Sequence, residues 1–197
     1  MIKSYANKVT SFLVDNNYVD SYKYEYDVYL YGFEILIASM INVITTLIIG
    51  LLFNKFIYSV IFLACYCPLR QFSGGYHANS YLKCCLTFVV IFIITIFIAN
   101  NINNIDFRHI LLIFSIFNFL SISILGPIEH INNPITDIER NKYKRNSKLI
   151  STIITIFITV SSGFKITYEF SIYSSLALFW INIMMVLAII KNRRDII

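Results

Sequence analysis

The 197-residue sequence is poor in charge: only 14% of its residues are Asp, Glu, Lys or Arg, against about 25% in soluble domains. With 57% hydrophobic residues and a mean hydropathy of +0.69, that scarcity excludes the one or two soluble domains its length would allow. A cleavable signal is also missing. The first 17 residues are polar, charged and amphipathic, without the continuous apolar core such a signal has, so the chain's own helices are expected to direct insertion. There is no internal repeat and no low-complexity linker. Cysteine is confined to Cys65, Cys67, Cys84 and Cys85, none in a loop expected outside, which excludes a disulfide framework. The net charge of +5 does not point to nucleic acid, because the basic residues fill the gaps between apolar segments, as topology signals do.

What is present is a series of six apolar segments, at about 33–53, 56–69, 84–99, 110–126, 149–164 and 170–190. The fold class is therefore all-α: a polytopic membrane helical bundle of about six transmembrane helices with an N-terminal amphipathic helix. One integral membrane domain spans 1–197, divided into an amphipathic segment (1–32), the bundle (33–190) and a basic cytoplasmic tail (191–197). The second segment is short enough to be re-entrant or buried. In the amphipathic segment Ile2, Tyr5, Val9, Phe12 and Leu13 form a stripe opposite Lys3, Asn7, Lys8 and Ser11, suiting either an interfacial helix or one packed on the bundle. Tyr22, Tyr26 and Tyr29 follow at helical spacing, as headgroup-level rings would. With an inside N-terminus and six crossings, thirteen of the 16 Lys and Arg fall inside; Lys55, Arg108 and Lys165 fall outside. This asymmetry places both termini, and the loop from Arg70 to Lys83, in the cytoplasm. Gly126-Pro127 ends a helix and opens a hydrophilic loop to Lys148 that finishes in a basic run, read as a topology signal or as a surface for an acidic peptide or anionic lipid.

The chemistry concentrates in Arg70 to Cys85, RQFSGGYHANSYLKCC. A polar, glycine-rich stretch between apolar segments is costly unless it lines a cavity or an interface. It holds His77 and two adjacent cysteines, suited to general-base and nucleophile roles. Gly74-Gly75 permits conformations closed to other residues and close approach of another backbone; it also suits a plain tight turn. Asn79 or Ser80 can cap the next helix, leaving Cys84 four or five residues in, where helix amides still favour a thiolate. On a continuous helix His77 and Cys84 would stand about 10.5 Å apart along the axis, so the histidine must sit in the preceding loop or the helix must break. A zinc site fits poorly, since Cys-x-Cys and Cys-Cys lack the usual spacer; no metal and no cofactor is expected. A serine nucleophile, Ser73 or Ser80, has no carboxylate nearby to complete it. The plain structural alternative makes Cys84 and Cys85 apolar fillers, the reading preferred for Cys65 and Cys67. His109 and His130 read as interfacial polar residues, Glu129 as a secondary site residue, and Glu34 as a partner for a basic loop.

Together these residues resemble the AgrB family of membrane endopeptidases that process quorum-sensing propeptides. The likeness rests on Arg70, on Ser73 through Ala78 (SGGYHA) and on Cys84. Tyr31-Gly32-Phe33-Glu34 and the pattern Pro127-x-Glu129-His130-x-Asn132-Asn133-Pro134 support it, and it extends over nearly the whole chain in order and hydropathy. The resemblance implies that His77 and Cys84 are the catalytic pair and that Arg70 and Gly75 are needed for activity; Ser73, Gly74 and Glu129, read from their positions, are expected to support them or bind substrate. It further implies an AgrD-like propeptide as substrate, a thioester on Cys84, cyclisation to a thiolactone or lactone, a homodimer, lipid contacts and a place in the bacterial cell membrane. A transporter component or sensor with a Gly-Gly hinge is the competing class; the paired interrupted helices it should show are not evident.

Overall fold

The computed structural model describes residues 2–16, 26–75, 81–102, 107–128 and 136–194. These residues form seven helices: α1 (Ile2–Asp15), α2 (Tyr26–Leu52), α3 (Phe56–Ser73), α4 (Tyr81–Ile102), α5 (Arg108–Leu125), α6 (Asp137–Ser162) and α7 (Tyr168–Arg194). The all-α polytopic bundle is thus what the chain forms, one helix per apolar segment. The reason is that apolar surroundings offer the backbone no partner but itself. Five helices (α2, α3, α4, α5 and α7) are long and apolar enough to cross a membrane. That includes α3, the expected short segment, which continues through Pro68 to Ser73.

The exception is α6. Its apolar part, Leu149 to Ser162, covers only about 21 Å at 1.5 Å per residue, and the basic turns before it complete a 26-residue helix that still runs the depth of the bundle. The basic run preceding it is also not a loop: Arg140 to Lys148 occupy exposed turns of the same helix. A capping box starts that helix. The Glu139 amide donates to the Thr136 hydroxyl (3.3 Å), and the Thr136 amide donates to the Glu139 carboxylate (3.0 Å), so two orphan amides are satisfied before the lysines and arginines, good helix formers, continue it.

At the N-terminus, α1 lies along α2, but not through its apolar stripe. The buried residues are Ala6 and Thr10, whereas Tyr5 and Phe12 remain 56% and 60% exposed. Small side chains let two backbones approach closely, and the large ones are left facing outward. Ahead of the first apolar run, α2 starts at Tyr26, whose hydroxyl donates to the Asn7 carbonyl (3.4 Å).

The centre of the bundle is α7, which touches α3, α4, α5 and α6 and fully buries Tyr173, Leu178, Ile181 and Met185. Two of its polar residues bond across to α5: Ser175 bonds Ser115 (2.9 Å), and Asn182 donates to Asn118 (3.0 Å) and accepts from Ser121 (2.8 Å). Such pairs contribute roughly 0.6 kcal/mol each between membrane helices. Large rings join α3 to α4, with Phe62 5.3 Å from Phe92 and Tyr66 5.0 Å from Phe88.

Lys55, Arg108 and Lys165 gather at one end. Lys55 pairs with Glu169 and sits 4.8 Å from the Tyr58 ring. The Phe107 amide donates to the Tyr168 hydroxyl (3.2 Å), and the Arg108 guanidinium stands 5.9 Å from the Tyr168 ring. The Gly-Gly turn closes the opposite end.

Candidate active site

Four predicted site residues come together where α3 stops. Arg70 and Ser73 lie in its last turn, and Gly74 and Gly75 follow with φ of +70° and +121°, a region other residues rarely adopt. The Arg70 guanidinium donates to the Gly74 carbonyl; Ser73 is fully buried. From the end of α5 comes Ile128, whose amide donates to the Ser73 carbonyl (3.0 Å) and which forms a single parallel bridge with Gly74.

Neither glycine has room for a side chain. A Cβ on Gly74 would lie 2.2 Å from the Ile128 carbonyl oxygen, and one on Gly75 would lie 1.9 Å from Arg70 Nη1. The close approach expected of another backbone at Gly74 is therefore made by the chain itself. Ile128 fills the space beside Gly74. Pro127 and Ile128 are anchored to α3 immediately before Glu129, while α6 presents Tyr143 to Phe72 at 6.0 Å. The end of α3 is thus clamped from two sides.

Cys84 is the fourth residue of α4 and half-buried, as is Cys85. All four cysteines are free. Cys65 is the expected buried filler, donating to Ser174 (3.5 Å). Cys67 is not: it is exposed, because its helix position turns outward from the core where Cys65, Tyr66 and Leu69 enter it. His77 and Glu129 lie outside the described residues, as do the expected caps Asn79 and Ser80, His130 and the Asn132-Asn133-Pro134 run. Glu34 is buried within α2, 8% exposed. His109 is exposed at the end of the bundle away from Gly74.

One residue at the site had no sequence signal. Tyr66 is one turn ahead of Arg70, buried, and its ring lies 5.0 Å from that of Phe88, one turn after Cys84 on α4. It bridges α3 to the third turn of α4 through Phe88.

The model of the accessory gene regulator B family (AgrB) matches residues 6–189. The chain belongs to the AgrB family. Two AgrB-like proteins of Clostridium perfringens are each 31% identical to it over 166 residues, 81% of this chain and 74% of theirs. The accessory gene regulator protein B of Staphylococcus aureus is 25% identical over 131 residues, 66% of this chain and 67% of its own length. No solved structure matches the chain. As an AgrB-family, multi-pass membrane protein, it takes part in quorum sensing.

Proposed function

We propose that this AgrB-family chain is a membrane cysteine endopeptidase that cuts the C-terminal tail from an AgrD-like propeptide and promotes cyclisation of the remainder. The observation that carries this reading is the clamped turn. Arg70, Ser73, Gly74 and Gly75 are fixed by Ile128 and by one another at the helix end from which the chain leads into Cys84. Such pre-set geometry is what peptide attack needs, since a misplacement of about 1 Å costs about 100-fold in rate.

In the proposed reaction His77 takes the proton of Cys84, and the thiolate Sγ bonds to the carbonyl carbon before the tail. The tetrahedral intermediate collapses, the carbon–nitrogen bond breaks, and the tail leaves as an amine carrying the proton from His77. The acyl group stays on Cys84 as a thioester. An internal cysteine or serine of the peptide then attacks it, giving a thiolactone or lactone and returning the Cys84 thiol. Apolar surroundings favour that internal nucleophile over water. The turn, Cys84 and both termini are assigned to the cytoplasmic side by the charge distribution, and the exposed basic turns of α6 are assigned to the acidic tail.

Mass spectrometry of the full-length protein in vesicles, given a propeptide with a central cysteine and an acidic tail, tests this. A peptide thioester on Cys84 is expected, with Cys84→Ala and His77→Ala inactive but still inserted and Cys85→Ala active. Undiminished cleavage by Cys84→Ala, or a thioester on Cys85, refutes the assignment. Unchanged function after alkylation of all thiols would favour a transporter or sensor.

A further inference from the structure

We propose that the Tyr66 hydroxyl donates a hydrogen bond to the oxyanion formed when Cys84 attacks the substrate carbonyl; Tyr66 lies one turn before Arg70 on α3, and its ring lies 5.0 Å from Phe88, one turn after Cys84 on α4. This rests on the reading of Cys84 as nucleophile and adds a residue to it.

Three features support the role. First, the ring is held rigidly. It stacks on Phe62 at 5.5 Å with 17° between the planes and meets Phe88 at 59°, so the phenol is a fixed dipole rather than a swinging one. Donors fixed in advance stabilise developing charge without reorganising during the reaction. Second, Tyr66 is only 6% exposed. The hydroxyl of a buried tyrosine ordinarily has a partner, and the ring lies across the gap against Phe88, on the α4 face that also carries Cys84. Third, the alternative cation is occupied, because the Arg70 guanidinium is bonded to the Gly74 carbonyl. Arg70 shapes the turn, which leaves the phenol, one turn before it on α3, as the donor the proposal assigns to the oxyanion.

No proton leaves Tyr66 in this step. As the Sγ–carbon bond forms, the carbonyl electron pair moves to oxygen, and the phenol O–H shortens its hydrogen bond to that oxygen. When the carbon–nitrogen bond breaks, the pair returns to the carbonyl and the phenol relaxes. The proton carried by His77 goes to the departing amine throughout.

Tyr66→Phe removes the hydroxyl and keeps the ring between Phe62 and Phe88. Tail release by the full-length protein in vesicles should show kcat lowered about 100- to 1000-fold, the loss typical of one oxyanion donor, with KM unchanged and melting in detergent unaltered. Tyr66→Leu, which also removes the ring, should add a stability loss. A Tyr66→Phe protein with wild-type kcat, beside a Tyr66→Leu protein that is both unstable and slow, would mean that the residue only packs, and would overturn the proposal. The wild-type thioester experiment separates the two levels of argument. If wild type cleaves without a thioester on Cys84, the nucleophile reading falls and takes this one with it. If the thioester forms equally fast in wild type and Tyr66→Phe, only the role of Tyr66 is refuted.

Discussion

Replacing Gly75 by alanine should act through Arg70, and a double-mutant cycle can show it. The added Cβ would sit 1.9 Å from Arg70 Nη1 and 3.2 Å from the Met184 carbonyl oxygen. Only the first contact is prohibitive, so the guanidinium must swing away and release the Gly74 carbonyl. A hydrogen bond from a charged donor contributes about 1.5–3 kcal/mol, and a non-glycine residue at φ +121° adds strain of about 1–3 kcal/mol. Gly75→Ala should therefore cost both amounts. In an Arg70→Ala background the hydrogen bond is already gone, leaving Gly75→Ala only the strain. The coupling is then about 1.5–3 kcal/mol, or roughly 10- to 150-fold in an equilibrium constant. Any other guanidinium contact that the swing breaks adds to the coupling, whereas contacts of the Arg70 stem, kept in Gly75→Ala, cancel. Unfolding free energies of the four proteins in mixed micelles measure the coupling without requiring activity. Additivity within about 0.5 kcal/mol would refute the argument, since Arg70 would not then stand against Gly75.

Three further outcomes are expected. Changing Arg140, Lys142, Lys144, Arg145 and Lys148 to glutamine should raise KM for an acidic-tailed propeptide about tenfold at low salt and leave kcat alone. The difference should shrink as the Debye length falls below about 8 Å; equal KM at every ionic strength would return the run to a topology signal. The amide and hydroxyl of Thr136 hold the Glu139 carboxyl below its ordinary range. A depressed folded-state pKa means stabilisation present above the unfolded value near 4.5 and lost as pH falls through the lower folded one. Hydrogen exchange at 137–140 should accelerate on acidification through that window, and Thr136→Ala, which removes the hydroxyl but keeps the amide, should weaken the pH dependence without abolishing it. Finally, with the four native cysteines replaced, cysteines placed at the exposed Gln71 and Lys83 should react with impermeant maleimide only from inside cells, and one at Lys165 only from outside. Reversed labelling would invert the topology.

How much of the fold was legible depended on the physical signal. Apolar runs named every helix of the bundle because nothing but helix satisfies a backbone in lipid. They could not mark where helices end, since polar residues extend a helix beyond the apolar region at little cost. That is why α2 reaches back to Tyr26, α7 continues to Arg194 and the basic run became part of α6. The last had a readable signal: Thr136-x-x-Glu139 has the spacing of a capping box. The face of α1 had a misleading one. A large apolar stripe normally marks the buried side of a helix, but that rule assumes water outside. Where the surroundings are themselves apolar, close approach favours Ala6 and Thr10, and large residues face outward.

At the site, residues adjacent in sequence were legible and those joined by folding were not. Arg70, Ser73, Gly74, Gly75 and Cys84 stand within 15 positions, so reading one helix end finds them all. Ile128 lies more than fifty positions away and has an apolar side chain, and its part is played by backbone atoms alone, an amide to Ser73 and a carbonyl against Gly74. No side-chain pattern encodes a backbone contact. What the sequence does record is its complement, a glycine where a Cβ would collide. Gly74 therefore signalled that some backbone approaches, without saying which. Tyr66 is hidden for a different reason. One of 14 tyrosines in an aromatic-rich chain, it is distinguished only by sharing a face with Arg70 and meeting Phe88 across the α3–α4 gap. The first relation is a helical spacing open to any reader; the second exists only once the two helices stand side by side. An aromatic residue four positions before a site arginine becomes informative only when a ring four positions after the site cysteine is found against it.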